Sequence, residues 1–464
     1  MNIFRRVSLS FLLIAAVAIT DRQIGLAPAM AAAPASQQAP GHYGVSVQVS
    51  PVAEGTAWTY TISKLTSDTK DLGHFIINFG NCGDQSPTIA NVISAKVNGV
   101  DWMNHIESTE GQTGCGVDSV NFVKFDNLPS ANIYVIEFTL NDVYPLMDST
   151  GWLKHGTTCE RIAMLAPGCK GYTRTTAMDA DASLVGKIYS DINTYMRQFG
   201  FDYTENPNCT GGYGSDINGV HNQVGPNPDP FLNKYVFQFN IHITAVIDGD
   251  RCSSSTVDRQ RNEMKSITKN DATWAKVQGN WDEWQILEWK FKLPIGFQPT
   301  QNFTHIHQLK GQDGPNIGSP VITITPRANS DGSNRRIQII HTGDTDATTK
   351  GTIVDNVPLS DFEDQWVQVR EEVHYTHDGY YGVKITRISD GKVLIDFKDN
   401  DIDMWRHGTS YIRSKFGIYR SLSGGRLDRT PVGQSPLLKN ESLWLSDFRV
   451  YEKNSNSNPG VPHE

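Results

Sequence analysis

Apolar and polar residues alternate with a period of two in one segment after another of this 464-residue chain. In the segment 284–293, every second residue is large and apolar: Leu287, Trp289, Phe291 and Leu293. Residues spaced in this way share one face of an extended strand and can be buried against a second sheet. About ten such segments lie between 235 and 451, with hardly any helical pattern among them. The sequence therefore predicts an all-β protein whose C-terminal part is a β-jelly roll, a concanavalin-like two-sheet sandwich.

The rest of the chain divides by the same patterns. The predicted parts are a signal peptide (1–33), a smaller N-terminal β-sandwich (41–155), a linker or insertion with one helix (156–232), the β-jelly roll (233–453) and a tail (454–464). The helix is predicted over 182–199, where apolar residues recur at helical spacing: Leu184, Ile188, Ile192, Met196 and Phe199. For the N-terminal sandwich, a purely structural role and a role as a carbohydrate-binding module both stay open.

The first residues have the pattern of a secretory signal. Arg5 and Arg6 precede an apolar run over 9–19, and a tract of small residues ends at Ala33. The run is too short to span a bilayer comfortably. We therefore expect cleavage near 31–33, a secreted protein in an extracellular or periplasmic compartment, and no membrane attachment after cleavage.

The six cysteines are expected to form disulfides, because an even count in an exported chain favours them. Short loops close most easily, so we predict sequential pairing. The predicted pairs are Cys82–Cys115, Cys159–Cys169 and Cys209–Cys252. The cysteines lack the spacing of a zinc site.

The formal net charge of −9 argues against a nucleic-acid partner. An anionic ligand would need a locally basic surface, and three segments could supply one because ionisable residues alternate in them. The residues that would share a face are Arg259, Arg261, Glu263 and Lys265 in the first segment, His305 and His307 in the second, and Arg413, Lys415, Gly417 and Tyr419 in the third. Glycine is tolerated inside a strand where another backbone or a ligand comes close. The three segments together predict a groove for an acidic ligand.

The same three segments resemble known motifs. Lys415-Phe416-Gly417-Ile418-Tyr419 resembles the K-x-G-x-Y strand of the jelly-roll polysaccharide lyases, which include the alginate lyase 2, heparinase and glucuronan lyase families. His305-Ile306-His307 resembles their Q-I-H strand, and Arg261-Asn262-Glu263-Met264-Lys265 resembles their R-x-E-x-R strand. The family glutamine is His305 here and the second arginine is Lys265, which cannot make the planar two-point contact of arginine. These departures favour glucuronan or another glucuronate polymer over alginate.

The resemblance implies an enzyme, a carbon–oxygen lyase that cleaves an anionic uronic-acid polysaccharide by β-elimination. Tyr419 would act as acid, and in a syn elimination also as base, with Lys415 nearby to favour the phenolate. His307 would act as base or neutralise the carboxylate, and Arg261 would bind that carboxylate. Whether His307 or Tyr419 is the base stays open.

Further residues are expected to bind substrate around this centre. They are His305, Arg259, Glu263, Lys265, Arg413 and His374, the last sharing a strand face with Arg370 and Glu372. Glu263 would orient Arg261 by ion pairing. No cofactor is required for this reaction, a structural calcium ion stays open, and a monomer is expected.

Two other functions stay open on the sequence alone. A glycoside hydrolase on a similar sandwich would need two opposed carboxylates, for which Glu263 and Glu288 are conceivable. A lectin-like sandwich would bind carbohydrate without catalysis.

Overall fold

The structure, a computed structural model, describes residues 41–80, 86–108, 115, 121–202, 204–205, 220–232, 234–242, 259–267, 277–421 and 439–453. The predicted signal peptide and tail therefore lie outside the described residues, as do Cys82, Cys209 and Cys252.

The N-terminal part of the described chain is built from short antiparallel strands. They are β1 (Tyr43–Val52), β2 (Gly55–Lys64), β3 (Leu72–Asn78), β4 (Val92–Val97), β5 (Val100–Asp101), β6 (Ile106–Glu107), β7 (Phe122–Phe125), β8 (Ile133–Leu140), β9 (Leu146–His155) and β10 (Thr158–Pro167). Among these residues the strands form two five-stranded sheets, in the orders β1-β2-β8-β4-β5 and β10-β9-β3-β7-β6. Short 3-10 turns lie at Ile89–Asn91 and Met103–His105.

The alternation of buried and less buried residues explains how these two sheets pack against each other. In β2 the side chains of Trp58, Tyr60 and Ile62 are fully buried, and the residues between them are less buried. The Tyr60 ring lies 5.6 Å from the ring of Phe75 on β3, in the other sheet. The two sheets thus enclose a core of their own.

The C-terminal part contains fifteen further strands among the described residues. They are β11 (Tyr172–Met178), β12 (Asn222–Val224), β13 (Phe237–Ile241), β14 (Arg259–Lys265), β15 (Gln278–Gly279), β16 (Trp284–Lys292), β17 (Thr304–Gln312), β18 (Ile322–Arg327), β19 (Arg336–His341), β20 (Gly351–Pro358), β21 (Val367–His374), β22 (Gly379–Arg387), β23 (Val393–Ile402), β24 (Tyr411–Ser421) and β25 (Glu441–Lys453). A 3-10 turn at Leu359–Asp361 precedes β21.

These strands form two large sheets. An eight-stranded sheet runs β12-β13-β25-β16-β21-β22-β23, with β11 also paired to β25. A seven-stranded sheet runs β14-β24-β17-β18-β19-β20, with β15 also paired to β24. Trp289 of the first sheet and Phe416 of the second meet in the core with their rings 5.2 Å apart. The prediction of an all-β chain with a C-terminal two-sheet sandwich is confirmed.

The segment between the two sandwiches belongs to both of them. Strand β10 continues the N-terminal sheet to Pro167, past the predicted boundary at residue 155. Strand β11 then pairs along β25 of the C-terminal sandwich. Backbone pairing therefore ties residues 158–178 into the two sandwiches in turn.

The helix is shorter than the sequence predicts. Helix α1 spans Tyr189–Arg197, and a separate 3-10 turn spans Ala182–Leu184. Gly186 lies between them with φ of 71°, in the left-handed region where a helix cannot continue. Ile188 consequently becomes the N-cap and is exposed. No helix among the described residues is long and apolar enough to cross a membrane.

The predicted sequential pairing of cysteines is wrong. Cys115 is bonded to Cys159, with their Cα atoms 5.3 Å apart. Cys169 is also in a disulfide, so neither Cys82–Cys115 nor Cys159–Cys169 can form. Cys115 and Cys159 pack together against Ile76, Phe122 and Trp152, residues of the sheet that contains β3, β7 and β9. Sheet packing, rather than loop length, determines which sulfurs meet.

Replacing Cys115 and Cys159 together by serine should lower the free energy of unfolding by about 2–4 kcal/mol, because the unfolded chain then loses a cross-link. Urea denaturation measures this change. Peptide mapping without reduction should recover a peptide pair that joins Cys115 to Cys159. A recovered pair joining Cys159 to Cys169 would contradict the structure.

Candidate active site

The three segments with ionisable residues are neighbouring strands of the seven-stranded sheet. Strand β24 lies between β14 and β17. Arg261 is paired opposite Tyr419 across one boundary, and His305 is paired opposite Tyr419 across the other. We call this side of the sheet the cationic face: Arg259, Arg261, Glu263 and Lys265 of β14, Arg413, Lys415 and Tyr419 of β24, and His305, Gln308 and Lys310 of β17. The opposite side carries Phe416 and Ile418 into the core.

Gly417 is required by the close approach of β14 to β24. Its φ is 143°, and a Cβ atom built at this position would lie 2.1 Å from the backbone oxygen of Asn262. The sequence predicted close contact with either a backbone or a ligand, and the contact in the structure is with the backbone. A larger residue here would push β14 and its two arginines away from Tyr419.

Tyr419 lies between two guanidinium groups. Arg259 Nη1 donates a 2.7 Å hydrogen bond to the phenolic oxygen, and the Arg261 guanidinium carbon lies 4.6 Å from the centre of the ring. Phe303 packs against the same ring with centroids 4.9 Å apart. A charged donor makes the stronger kind of hydrogen bond to an oxygen. The phenol is therefore fixed in position beside both guanidinium groups.

His305 presents a neutral imidazole beside Tyr419, with ring centroids 5.9 Å apart. Burial, together with the nearby cations Arg327, Lys310 and Lys415, lowers the pKa of His305 to about 3. Its Nδ1 lies 2.7 Å from Thr325 Oγ1, and that hydroxyl donates its own proton to Thr323. Nδ1 must then be the donor, so Nε2 carries the lone pair and is a hydrogen-bond acceptor.

His307 does not share a face with His305, and that prediction is wrong. The pairing between β17 and β24 shifts register between the two histidines, which places His307 opposite the core residue Phe416. The His307 side chain is fully buried, and its Nε2 lies 3.1 Å from Glu371 Oε2. Its Nδ1 donates to the backbone oxygen of Lys415 over 2.9 Å. His307 is therefore one half of a buried histidine–carboxylate pair between the two sheets.

Glu371 is held ionised inside the core by this pair. Burial alone would raise its pKa, but His307 and the hydroxyl of Tyr381 lower it below the usual value. The indole nitrogen of Trp289 donates a third contact at 3.2 Å. Four strands, β16, β17, β21 and β22, are thus tied together behind the cationic face.

Glu205 neutralises part of the cationic face and was not identified from the sequence. Its carboxylate lies 2.6 Å from Lys415, 3.0 Å from Arg261 and 3.0 Å from Lys265. Burial would raise the pKa of Glu205, and Lys415 and Lys265 together lower it well below the usual range. The Glu205 backbone pairs with that of Glu263, along the edge of β14 that faces away from β24. The segment around Glu205 has no strand-like alternation, so no sequence pattern predicts this contact.

Glu263 is ion-paired, but its partner is Lys415 rather than Arg261. Glu263 Oε2 lies 3.5 Å from Lys415 Nζ, and Oε1 accepts a hydrogen bond from Gln308. The role predicted for Glu263, that of orienting Arg261, is filled by Glu205 instead.

The cationic face continues beyond Lys415. Lys310 of β17 is paired opposite Arg413 of β24. Burial lowers the pKa of Lys310 to about 8, and Lys415 and Arg413 contribute to this shift. Lys310 was not identified from the sequence, because an unbroken period of two from His305 places residue 310 on the opposite face. The register shift between His305 and His307 brings it to the cationic face.

Two predicted residues lie elsewhere. His374 is on β21 in the eight-stranded sheet, stacked on Trp284 at 4.6 Å and 2.9 Å from Asp282. Glu288 lies on the neighbouring strand β16 beside Arg370. Neither belongs to the seven-stranded sheet, so neither is brought to the cationic face.

No protein-family model matches this sequence, and no curated protein matches it significantly. Similar solved structures include a PL-14 alginate lyase from Aplysia kurodai, with 11% identity over 60% of this chain and 98% of that chain at a TM-score of 0.37. An alginate lyase from Pseudomonas aeruginosa has 18% identity over 46% of this chain and 82% of that chain at 0.29. A family 7 alginate lyase variant in complex with substrate has 12% identity over 53% of this chain and 86% of that chain at 0.32. These scores do not by themselves assign an activity to this chain.

Replacing His305 by glutamine should make stability less dependent on pH. The unfolded chain protonates this histidine below about pH 6.5, whereas burial holds the pKa in the fold near 3. The stability that a neutral His305 provides is therefore complete above pH 6.5 and is lost as the pH falls towards 3, by at most about 1.4 kcal/mol per pH unit. Denaturant unfolding of both proteins between pH 4 and pH 7 measures the difference.

The same change at the exposed His105 is the matched control and should leave the pH dependence unaltered. Equal slopes for the wild type and His305→Gln would mean that His305 is not held neutral in the fold.

Proposed function

We propose that this protein is a secreted polysaccharide lyase that cleaves a glucuronate-containing polymer by β-elimination. The observation that carries the proposal is the phenol of Tyr419, hydrogen-bonded to Arg259 and covered by Arg261 on a cationic sheet face. We favour glucuronan as the substrate because two residues differ from the alginate-type motifs. His305 replaces their glutamine, and Lys265 replaces their second arginine. The proposed partner is thus an anionic polysaccharide.

The distribution of charge supports an extended acidic ligand. From Tyr419 to Arg413 the strand covers about 20 Å, at about 3.3 Å per residue, long enough to meet several sugar units. The described cations along this face are Arg259, Arg261, Lys265, Lys310, Arg413 and Lys415, against two carboxylates, Glu205 and Glu263. The surplus is positive although the whole chain carries −9. Successive uronate groups could therefore be bound along the strand.

Elimination would proceed through Tyr419. Its phenolate, stabilised by Arg259, removes the C5 proton; the C4–O4 bond breaks, the C4–C5 double bond forms, and Tyr419 returns the proton to O4 in a syn elimination. Arg261 lies where it can bind the uronate carboxylate as negative charge develops there. These proposed steps consume no water and use no cofactor. A structural calcium ion and a monomeric state stay predictions.

The groove-facing imidazole in this proposal is His305 rather than His307. His307 is fully buried and its side chain does not belong to the cationic face. In this proposal His305 Nε2 accepts a hydrogen bond from a sugar hydroxyl. A histidine with a pKa near 3 is a poor base at neutral pH, so the proposal assigns the base role to Tyr419 and a binding role to His305.

The hydrolase alternative lacks a suitable pair of carboxylates among the described residues. Glu205 and Glu263 are each bound to cations, and both contact Lys415. Glu288 is in the other sheet. An inverting or retaining hydrolase needs two carboxyl groups on opposite sides of one glycosidic bond, which these residues do not provide.

A panel of polyuronates tests the proposal directly. We expect the purified protein to increase ultraviolet absorbance with glucuronan or another glucuronate polymer, because each cleavage creates a conjugated double bond. New reducing ends without that absorbance would indicate a hydrolase. Binding without either signal would indicate a lectin.

Replacing Tyr419 by phenylalanine should reduce kcat by roughly 10²–10⁴-fold, since the proton carrier is lost. Substrate affinity should stay within a few-fold of the wild type, because the arginines remain. The matched control is Tyr380→Phe, whose phenol is on the eight-stranded sheet beside Trp284. Full activity in Tyr419→Phe would refute the assigned role.

A further inference from the structure

Three potential metal ligands converge at one margin of the N-terminal sandwich. His42 immediately precedes β1, His155 is the last residue of β9, and Glu160 lies on β10. Strands β1 and β10 are edge strands of the two different sheets. The cluster therefore lies where the sandwich is open, far along the chain from the cationic face.

The three ligand atoms point at a common volume. His42 Nδ1 lies 3.4 Å from Glu160 Oε2, and His155 Nε2 lies 3.8 Å from the same oxygen. All three atoms are within 4.8 Å of one another, and the two imidazole rings have centroids 4.7 Å apart. Gly41 holds the chain against Glu160, since a Cβ at Gly41 would lie 1.8 Å from Glu160 Oε1.

His155 supplies independent evidence for a ligand here. The residue is 4% exposed, and its Nε2 atom, which is aimed at the cluster, has no hydrogen-bond partner. Buried polar atoms normally have a partner, and a metal ion would provide one.

We propose that His42, His155 and Glu160 bind a zinc ion. Two imidazoles and one carboxylate form a ligand set that zinc accepts, with a fourth position left for water. Calcium and magnesium prefer oxygen ligands throughout, so this site is distinct from the calcium ion considered from the sequence. His42 and Glu160 lie 118 residues apart in the chain, so this ligand set has no short sequence motif.

The geometry needs only a small closure. Ligands about 2.0–2.1 Å from a tetrahedral zinc ion lie about 3.3 Å apart. The His42 side chain is 56% exposed and can rotate towards the other two. Glu160 Oε2 accepts a 3.1 Å hydrogen bond from the His42 backbone, which holds this carboxylate beside His42. The ion would then join the start of β1 to the β9–β10 hairpin and clip the two sheets together.

The test uses the full chain, without an affinity tag, after removal of metals with a chelator. Titration calorimetry with zinc sulfate should show one ion bound per chain, and zinc should raise the Tm. His42→Ala and Glu160→Gln should each weaken binding by at least roughly 10–100-fold, the loss seen even for changes outside the ligand shell. His42 is exposed, so this variant tests the ligand without disturbing the core.

The matched control is His105→Ala, an exposed histidine of the same sandwich, which should bind zinc like the wild type. The proposal is overturned if zinc does not bind with one-to-one stoichiometry, or if His42→Ala and Glu160→Gln bind it as tightly as the wild type. Calcium that binds this site as tightly as zinc would also overturn it.

Discussion

The register between β14 and β24 is the constraint on which the candidate site depends. It sets Arg261 opposite Tyr419 and Lys265 opposite Lys415. A slip of one residue would turn every one of these side chains to the other face of the sheet, where charged groups would meet the apolar core. The contact between Gly417 and the Asn262 backbone permits this register, and burial of Phe416 on the core side enforces it.

The candidate site also depends on the balance of charge within the cationic face. Grouping several cations on one sheet face costs free energy unless carboxylates offset their repulsion. Glu205 and Glu263 do so around Lys415, the most buried of these cations. Arg259, in contrast, contacts the Tyr419 hydroxyl. Carboxylates thus hold Lys415, Lys265 and Arg261 in place. Arg259 and the phenol form the part of the surface that we propose meets an acidic sugar.

Structural features that follow from the alternation of apolar and polar residues could be predicted from the sequence. Features that depend on contacts between distant segments could not. The strands, and the shared face of the β14 and β24 residues, could be predicted because a period of two reports burial directly. The register shift that separates His305 from His307 has no signature in a single sequence. Glu205 reaches the site from a segment without periodicity, and the Cys115–Cys159 bond depends on which strands lie side by side. The proposed zinc ligand His42 lies more than a hundred residues before His155 and Glu160, so spacing could not reveal this set.

The most direct test of the central claim is the mass of the fragments released from a purified glucuronate polymer. Elimination adds no water, so each new non-reducing end should be lighter by one water molecule than the end that hydrolysis creates. Mass spectrometry of the oligosaccharides distinguishes the two. Unsaturated fragments produced by the wild type and absent with Tyr419→Phe would support the account, whereas fully hydrated fragments, or equal yields of unsaturated fragments from both proteins, would contradict it.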